Sequence, residues 1–135
     1  MAYFTGSRIS EVLQLTVEDV SGDRVLFRAA NTKMRKARMA MVVVPLQAFL
    51  DKYEFPRSGY LFPAHHDGLR GGHLSRQGAD WMLRQVCASV GLDGVSTHSF
   101  RRSSATNPYR NGEPMAKICR LLGYKNLTMT ARYIG

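Results

Sequence analysis

The sequence predicts an α+β fold that is mainly α-helical and contains one small antiparallel β-sheet or hairpin. Several segments place apolar residues at helical spacing, whereas a single pair of β-rich segments flanks a short polar turn. The chain has 135 residues, which suffice for one domain with a modest core but not for two well-packed ones. We therefore expect a single domain over residues 1–135.

The N-terminal third predicts one helix followed by the hairpin. The stretch "SRISEVLQLTVEDV" (residues 7–20) has mostly helical spacing of its aliphatic side chains, and Arg8 and Glu11 lie one turn apart near its start. "RVLFRA" then alternates polar and apolar residues, and "ARMAMVVVPL" is rich in β-formers. The basic segment "NTKMRK" between them is typical of a hairpin turn, which places Lys33 at its tip.

The middle of the chain predicts two helices separated by a loop. The first helix covers about residues 45–53, and the second covers about residues 73–90, where a glycine ends it. "GYLFPAHHDGLRGG" between them has the glycine and proline content of a loop. We expect Trp81 and Met82 on the second helix to lie in the core.

The C-terminal third predicts three more helices. "HSFRRSSATNPYR" forms the first, with Ser96 or Thr97 as its N-cap and Pro108 expected to kink or end it. "EPMAKICRLLGY" is a short amphipathic helix closed by Gly123, and "NLTMTARYIG" supplies the last helix.

The charge distribution limits the possible partners. The chain carries 19 Lys and Arg against 10 Asp and Glu, a net charge of +9, and the excess lies in residues 24–40 and 95–135. This suits binding to a polyanion, nucleic acid before a membrane surface, although a solvated basic face is the alternative. No apolar run approaches the roughly 18 residues of a membrane span, and the N-terminus has no signal-peptide pattern. We therefore expect a cytoplasmic protein without a membrane partner.

Cysteine and histidine spacing does not favour a metal site. Cys87 and Cys119 lack C-x-x-C spacing, and His65, His66 and His73 fit no compact ligand pattern. We interpret the cysteines as small buried hydrophobic residues and the histidines as loop residues.

Five polar residues from distant parts of the chain suggest chemistry. His98 and Arg101 are three residues apart and share a helix face. Arg8 begins another helix, Lys33 lies on the hairpin tip, and Tyr133 lies near the end of the chain. Each has an ordinary structural interpretation by itself, as a core tyrosine, a structural histidine, a solvated lysine or an arginine in an exposed helical ion pair worth about 0.3–0.5 kcal/mol.

Together these residue types suit phosphoryl transfer. Two arginines can hold the non-bridging oxygens of a phosphodiester and neutralise charge in the transition state. A phenol can attack phosphorus if cationic surroundings or a base help it to lose its proton. A lysine can protonate the departing oxygen.

Four stretches, "TGSRISEVLQLTVEDV", "TKMRKARMAMVVVPL", "THSFRRSSAT" and "LLGYKNLTMTARYIG", resemble the successive motifs of the tyrosine recombinase (phage-type integrase) catalytic domain. The resemblance implies the DNA breaking-rejoining fold of that family. The catalytic positions that it implies are Arg8, Lys33, His98, Arg101, Tyr124 and Tyr133, with Glu11 as the acidic companion of Arg8. Lys36 is the alternative to Lys33. Tyr124 stands where the family usually has histidine or tryptophan, and Arg102 stands where many relatives have a second histidine.

The resemblance implies site-specific DNA recombination or integration through a 3′-phosphotyrosyl intermediate, with no cofactor, ATP or metal. The partner is double-stranded DNA, and a tetramer on paired sites is expected for a full-length protein. The predicted DNA contacts are Arg35, Lys36, Arg38, Arg102, Lys125 and Arg132. The alternatives are a DNA-binding module without catalysis and a type IB topoisomerase-like activity.

The ends of the chain carry two further expectations. The sequence starts at the catalytic motifs, without the helical N-terminal domain of the family, and it ends two residues after Tyr133. We therefore expect a monomeric catalytic domain of prokaryotic, phage or mobile-element origin that recombines DNA inefficiently by itself.

Overall fold

The computed structural model describes residues 1–64, 71–124 and 126–134. His65 and His66, which we interpreted as loop residues, lie outside this part of the chain. The helices are α1 (Ala2–Thr5), α2 (Ile9–Leu13), α3 (Val44–Leu50), α4 (Arg76–Ser89), α5 (Thr97–Arg110), α6 (Met115–Leu122) and α7 (Leu127–Ile134), and the strands are β1 (Val20–Ser21), β2 (Arg24–Phe27) and β3 (Arg38–Met41). Short 3₁₀ turns occupy Val17–Asp19 and Ala29–Asn31.

The three strands form one antiparallel sheet in the order β1-β2-β3. Val25 of β2 pairs with Val20 of β1 and with Ala40 of β3, and Phe27 pairs with Arg38. The predicted hairpin is therefore confirmed, and β1 is an addition to it. Buried side chains of the sheet, α1 and α2 share one core cluster, whose members are Ala2, Val12, Leu15, Val25, Phe27, Ala40 and Leu61.

The first predicted helix is shorter than the sequence indicated. It ends at Leu13, and the chain then makes a 3₁₀ turn instead of continuing to residue 20. The cause is the buried carboxylate of Asp19, which accepts hydrogen bonds from the Thr16 backbone N–H at 2.9 Å and from Arg28 Nε at 2.6 Å. Side chains that bond locally to the backbone compete with helix continuation.

Helix α4 corrects one prediction about the core. It begins after Ser75, whose Oγ accepts from the Gly78 N–H. Trp81 is 63% exposed and Met82 is 52% exposed, so neither is a core residue. The covered face of the helix instead carries Asp80 and Leu83, which are half-buried, and Cys87, which is buried. Because these lie three and four residues apart, they form one helical stripe, and Trp81 and Met82 fall beside it.

Helices α5, α6 and α7 pack around a second cluster of Ala105, Ile118 and Leu122. Helix α5 continues past Pro108 and ends two residues later, although proline removes one helical hydrogen bond. Gly123 closes α6 in the left-handed conformation at φ 70°, as predicted. Cys87 and Cys119 are buried and free, which confirms their interpretation. Within residues 1–64, 71–124 and 126–134, no helix is long and apolar enough to cross a membrane.

Candidate active site

The loop between α1 and α2 places the first arginine. Arg8 lies immediately before α2, and its backbone N–H donates to Glu11 Oε2 at 3.0 Å. Its Nη1 donates to Glu11 Oε1 at 3.1 Å. The Glu11 carboxylate is buried, so it both caps the helix and directs the Arg8 side chain. The TG-x-R-x-x-E spacing thus lets Glu11 hold the Arg8 side chain in place.

Arg101 on α5 is the most deeply buried charged group of the site. Its side chain is 1% exposed, and its guanidinium donates through Nη1 to the Gly6 carbonyl and through Nη2 to the Leu122 carbonyl at 2.7 Å. Its Nε is also buried, and it has no hydrogen-bond partner among the described residues. A buried donor without a partner is costly.

Arg38 forms a second guanidinium bridge beside Arg101. It donates to the carbonyls of Thr5 and Leu121 at 3.0 Å each and to Ser7 Oγ at 2.5 Å. Burial lowers the pKa of Arg38. Because three of its five N–H donors bind protein acceptors, Arg38 ties the loop of residues 5–7 to the end of α6. The sequence-based prediction that Arg38 contacts DNA stays a prediction.

Gly6 lies where these bridges meet. Gly6→Ala is expected to destabilise the fold by about 2 kcal/mol, because the left-handed backbone strains an alanine by about 1–2 kcal/mol and the added methyl group is crowded. Gly6 has φ 61°, and an added Cβ would lie 3.1 Å from Leu122 Cδ2 and 3.3 Å from Leu121 Cγ. Gly22→Ala is the matched control, because Gly22 has φ 55° and open space. Urea unfolding should show the larger loss for Gly6→Ala. Equal losses would contradict the crowding.

A cavity of about 790 Å³ joins four of the six predicted catalytic residues. Arg8, Lys33, His98 and Arg101 line it, and Arg35 and Arg76 extend its basic wall. Its lining, within the described part of the chain, includes no acidic side chain. A concave, cationic surface of this kind concentrates anions. Arg76 was not predicted, because it begins α4 in a segment without a basic cluster.

The connection between β2 and β3 distinguishes the two candidate lysines. The Thr32 carbonyl accepts from the Arg35 N–H at 3.0 Å, and Thr32 Oγ1 bonds to the Lys36 backbone N–H at 3.1 Å and carbonyl at 2.8 Å. This closed turn directs Lys33 to the large cavity, whereas Lys36 lines a separate pocket of about 220 Å³. The geometry favours Lys33, which shares its cavity with both Arg8 and Arg101, whereas of these two arginines only Arg8 lines the pocket of Lys36.

Helix α7 brings Tyr133 to the same centre. The Tyr133 ring lies 5.6 Å from the His98 ring and 5.9 Å from the Tyr124 ring, on which it stacks. Arg101 Cζ lies 4.9 Å from the Tyr124 ring centroid and 6.0 Å from that of Tyr133. Thr106 Oγ1 fixes this end of α7 by donating to the Tyr133 carbonyl at 3.0 Å. The two phenols pack beside Arg101 and are not among the residues that line the large cavity.

The surroundings shift the pKa of His98 and of Tyr133. Burial, followed by the charges of Arg101, Arg102 and Arg8, lowers the pKa of His98, which favours the neutral imidazole. Burial and the neighbouring phenol of Tyr124 raise the pKa of Tyr133. The nucleophile predicted from the sequence is therefore protonated in the absence of DNA.

The remaining predicted contacts are less constrained. Arg35, Lys36, Arg102 and Arg132 are exposed, and Lys125 lies outside the described residues. In residues 1–64, 71–124 and 126–134, no group of three His, Cys, Asp or Glu side chains is placed to hold a metal ion.

Comparison with known proteins gives consistent matches. The profile of the phage integrase family matches residues 1–135. The probable integrase/recombinase YoeC of Bacillus subtilis is 29% identical over 130 residues, covering 95% of this chain and 70% of YoeC. The tyrosine recombinase XerD of Mycobacterium leprae is 34% identical over 145 residues, covering 98% of this chain and 45% of XerD.

Solved structures confirm the fold. The crystal structure of XerA recombinase has a TM-score of 0.77 at 23% identity and covers 98% of this chain and 48% of XerA. XerH site-specific recombinase, bound to palindromic difH substrate in a post-cleavage complex, has a TM-score of 0.77 at 22% identity and covers 99% of this chain and 39% of XerH. The chain thus spans less than half the length of XerD, XerA and XerH. With the family profile matched from end to end, the chain belongs to the phage integrase family.

Proposed function

We propose that this chain cleaves and rejoins DNA in site-specific recombination, through a 3′-phosphotyrosyl intermediate and without metal or ATP. The observation that carries the proposal is the shared centre of Arg8, Lys33, His98 and Arg101, with Tyr133 packed against its edge. The unpartnered Nε of Arg101 supports an anionic ligand at this centre. XerH, which shares the fold, was crystallised on its DNA substrate in a post-cleavage complex.

The reaction follows from the chemistry of these groups. The phenol of Tyr133 loses its proton to solvent as its oxygen forms a bond to phosphorus. The bond from phosphorus to the 5′ oxygen breaks, and Lys33 donates a proton to that oxygen. Arg8, Arg101 and neutral His98 donate hydrogen bonds to the non-bridging oxygens, where negative charge increases in the transition state. The new ester conserves the phosphodiester bond, so reversal of the step rejoins a strand without an energy source.

The partner and assembly belong to the same proposal. The net charge of +9 supports binding to the phosphates of double-stranded DNA, with Arg35, Lys36, Arg38, Arg102, Lys125 and Arg132 as further contacts. Phosphate contacts of this kind position the duplex but carry no sequence information directly. We propose that residues 1–135 are one catalytic domain, acting in the cytoplasm at the nucleoid, and that the full-length protein recombines paired sites as a tetramer.

The function is tested by trapping the covalent intermediate. The protein is incubated with a nicked duplex whose cleaved end diffuses away, and products are separated in detergent. We expect an adduct that mass spectrometry of the digested protein locates on residue 133. Duplex binding that weakens steeply with salt, but no adduct at any protein concentration, would overturn the proposed enzyme activity and favour the DNA-binding module. Relaxation of supercoiled plasmid without strand exchange would indicate the topoisomerase-like alternative.

Lys33→Ala is expected to slow cleavage by roughly 10²-fold, the lower range for loss of a general acid. Lys36→Ala, the matched control in the same turn, should change the cleavage rate by less than about 3-fold, because general acid catalysis requires direct reach to the leaving oxygen. Single-turnover rates measure both effects. A substrate with sulfur in place of the 5′ bridging oxygen needs no proton donor, so it should restore the Lys33→Ala rate. The opposite ranking of the two lysines would assign the general acid to Lys36.

A further inference from the structure

Ile9 lines a second cavity as well as the large cavity of the candidate active site. This second cavity, called the apolar cavity below, has a volume of about 340 Å³, and α1, α2, α3, the loop before α4 and the start of α5 all contribute to its wall. Four phenylalanine side chains line it, those of Phe4, Phe49, Phe62 and Phe100. The volume is at the lower end of the roughly 300–1,000 Å³ of small-molecule sites. The proposed strand cleavage makes no use of this cavity.

The lining of the apolar cavity selects uncharged, mainly aromatic molecules. Within the described residues, none of its side chains carries a charge, and Ala2 and Val12 in its wall belong to the buried core. Burying an ion against such a surface is strongly unfavourable. Aromatic rings pack tilted or offset with centroids about 4.5–7 Å apart, and the rings of Phe4 and Phe49 already lie 6.1 Å apart. A flat ring in the cavity therefore extends this packing.

One hydroxyl group can orient such a ligand. Tyr3 also lines the cavity, and its Oη accepts a hydrogen bond from Asn107 Nδ2 at 3.1 Å. Because a phenol both accepts and donates hydrogen bonds, this contact leaves the Tyr3 proton for an acceptor on the ligand. Small-molecule sites commonly combine an apolar wall with a small number of polar groups that fix orientation. A ring that carries one hydroxyl or carbonyl group matches this lining.

A small molecule suits the apolar cavity better than a protein surface does. Nine residues line it, whereas a stable protein interface takes about 20–30 residues on each side. The net charge of +9 also opposes the close approach of a second copy of the chain. Phe49 at the rim is 66% exposed, and a single uncharged molecule can cover its ring without that repulsion.

The apolar cavity shares two structural elements with the predicted catalytic arginines. Ile9, which lines both cavities, follows Arg8 directly in the chain. Phe100, which lines the apolar cavity, precedes Arg101 on α5. A ligand packed against Ile9 and Phe100 restricts the motion of the segments that carry the two arginines. DNA then loses less conformational entropy when it orders the same segments, which gives positive coupling between the two sites.

We propose that the apolar cavity is a regulatory site for an uncharged aromatic molecule with one hydrogen-bond acceptor, and that its occupation strengthens DNA binding at the large cavity. Only the coupling to DNA rests on the proposed function. The ligand site itself depends on the cavity alone, so it can be tested in the absence of DNA.

The probe for the site is N-phenyl-1-naphthylamine, an uncharged molecule whose fluorescence rises in apolar surroundings. We expect saturable binding to the natural chain, with displacement by 2-naphthol but not by naphthalene-2-sulfonate, which has the same rings and a charge. Phe49→Glu places a charge at the rim and should weaken probe binding by at least roughly 10-fold. The matched control is Val44→Glu, at an 83% exposed position of the same helix outside the cavity lining, and its affinity should stay within about 2-fold.

The same variants define the results that would overturn the site. Both positions are exposed, so both variants should fold, and thermal unfolding checks this. Absence of saturable probe binding, or equal affinities of Phe49→Glu and Val44→Glu, would exclude the apolar cavity as a ligand site. Sedimentation tests the other occupant. Self-association of the natural chain that Phe49→Glu abolishes would assign the cavity to a second copy and overturn the small-molecule site.

The coupling is measured by repeating the probe titration with saturating intact duplex. We expect the duplex to tighten probe binding by about 5-fold, the lower range of allosteric coupling, and the probe to tighten duplex binding by the same factor. Ile9→Ala shortens the shared side chain and should reduce this factor to below about 2-fold, while the probe still binds. Probe affinity that the duplex leaves unchanged in the natural chain would overturn the regulatory role. The proposed function fails separately, by the absence of an adduct on residue 133 of the natural chain.

Discussion

Tyr133→Phe is expected to abolish the covalent protein–DNA adduct and to leave noncovalent duplex binding within about 2-fold of the natural chain, because binding rests mainly on phosphate contacts by basic residues. The substitution removes only the hydroxyl that forms the bond to phosphorus. The ring remains to pack against the cluster of Ala105, Ile118 and Leu122. Detergent gels measure the adduct, and fluorescence anisotropy of a labelled duplex measures binding.

The control for this experiment is Tyr109→Phe. Tyr109 is 46% exposed on the last turn of α5, so its hydroxyl has no place in the proposed chemistry, and adduct formation should be unchanged. Adduct of equal yield from Tyr133→Phe and from the natural chain would contradict the assignment. The nucleophile would then be a different residue, and the stacked phenol of Tyr124 would be the first to map.

The sequence predicts the arrangement of site residues that lie only a few positions apart in the chain. His98 and Arg101 share a helix face because they are three residues apart, and Arg8 meets Glu11 for the same reason. The identity of Gly6 is explained only by the structure. Its left-handed backbone exposes a carbonyl that Arg101 binds from a distance of 95 residues along the chain, a contact that no local pattern encodes.

Other features could not be predicted because they depend on tertiary packing. Arg38 belongs to a basic segment, and its charge alone suggested that it binds DNA. Only the folded chain shows the three acceptors around its guanidinium. Trp81 is large and apolar, yet the stripe of α4 that faces the protein passes beside it. Arg76 enters the cavity because the start of α4 lies near the start of α5. In each case the residue type alone does not tell whether the side chain faces the protein or the solvent.

The two guanidinium bridges explain why Arg101 is buried. Arg38 and Arg101 both connect the loop of residues 5–7 to the last turn of α6. That loop leads directly into Arg8, and α6 leads through Gly123 to Tyr124. In the proposed reaction, the bridges would fix the groups around the phosphate before DNA binds, which is the preorganisation that electrostatic catalysis requires.

Arg101→Met is accordingly expected to affect both stability and chemistry. Methionine fills part of the volume but leaves the buried carbonyls of Gly6 and Leu122 without donors, and one unsatisfied buried group costs about 1–3 kcal/mol. We expect a loss of about 3 kcal/mol in the free energy of unfolding and a decrease of at least roughly 10³-fold in single-turnover cleavage, the upper range for one transition-state donor. Urea unfolding and the adduct assay, run at a temperature where the variant is folded, measure the two effects.

Arg102→Met is the matched control, because it removes the same charge from the next residue of α5, where the side chain is exposed. It should keep its stability within about 0.5 kcal/mol, as exposed substitutions usually do, and reduce the salt dependence of DNA binding by about one phosphate contact. Arg101→Lys completes the set. An ammonium retains the charge, but it lacks the planar fork that reaches two carbonyls and keeps a third N–H free. If Arg101→Lys cleaved DNA as fast as the natural chain, charge alone would account for the role of Arg101, and the bridging geometry would have no part in the reaction.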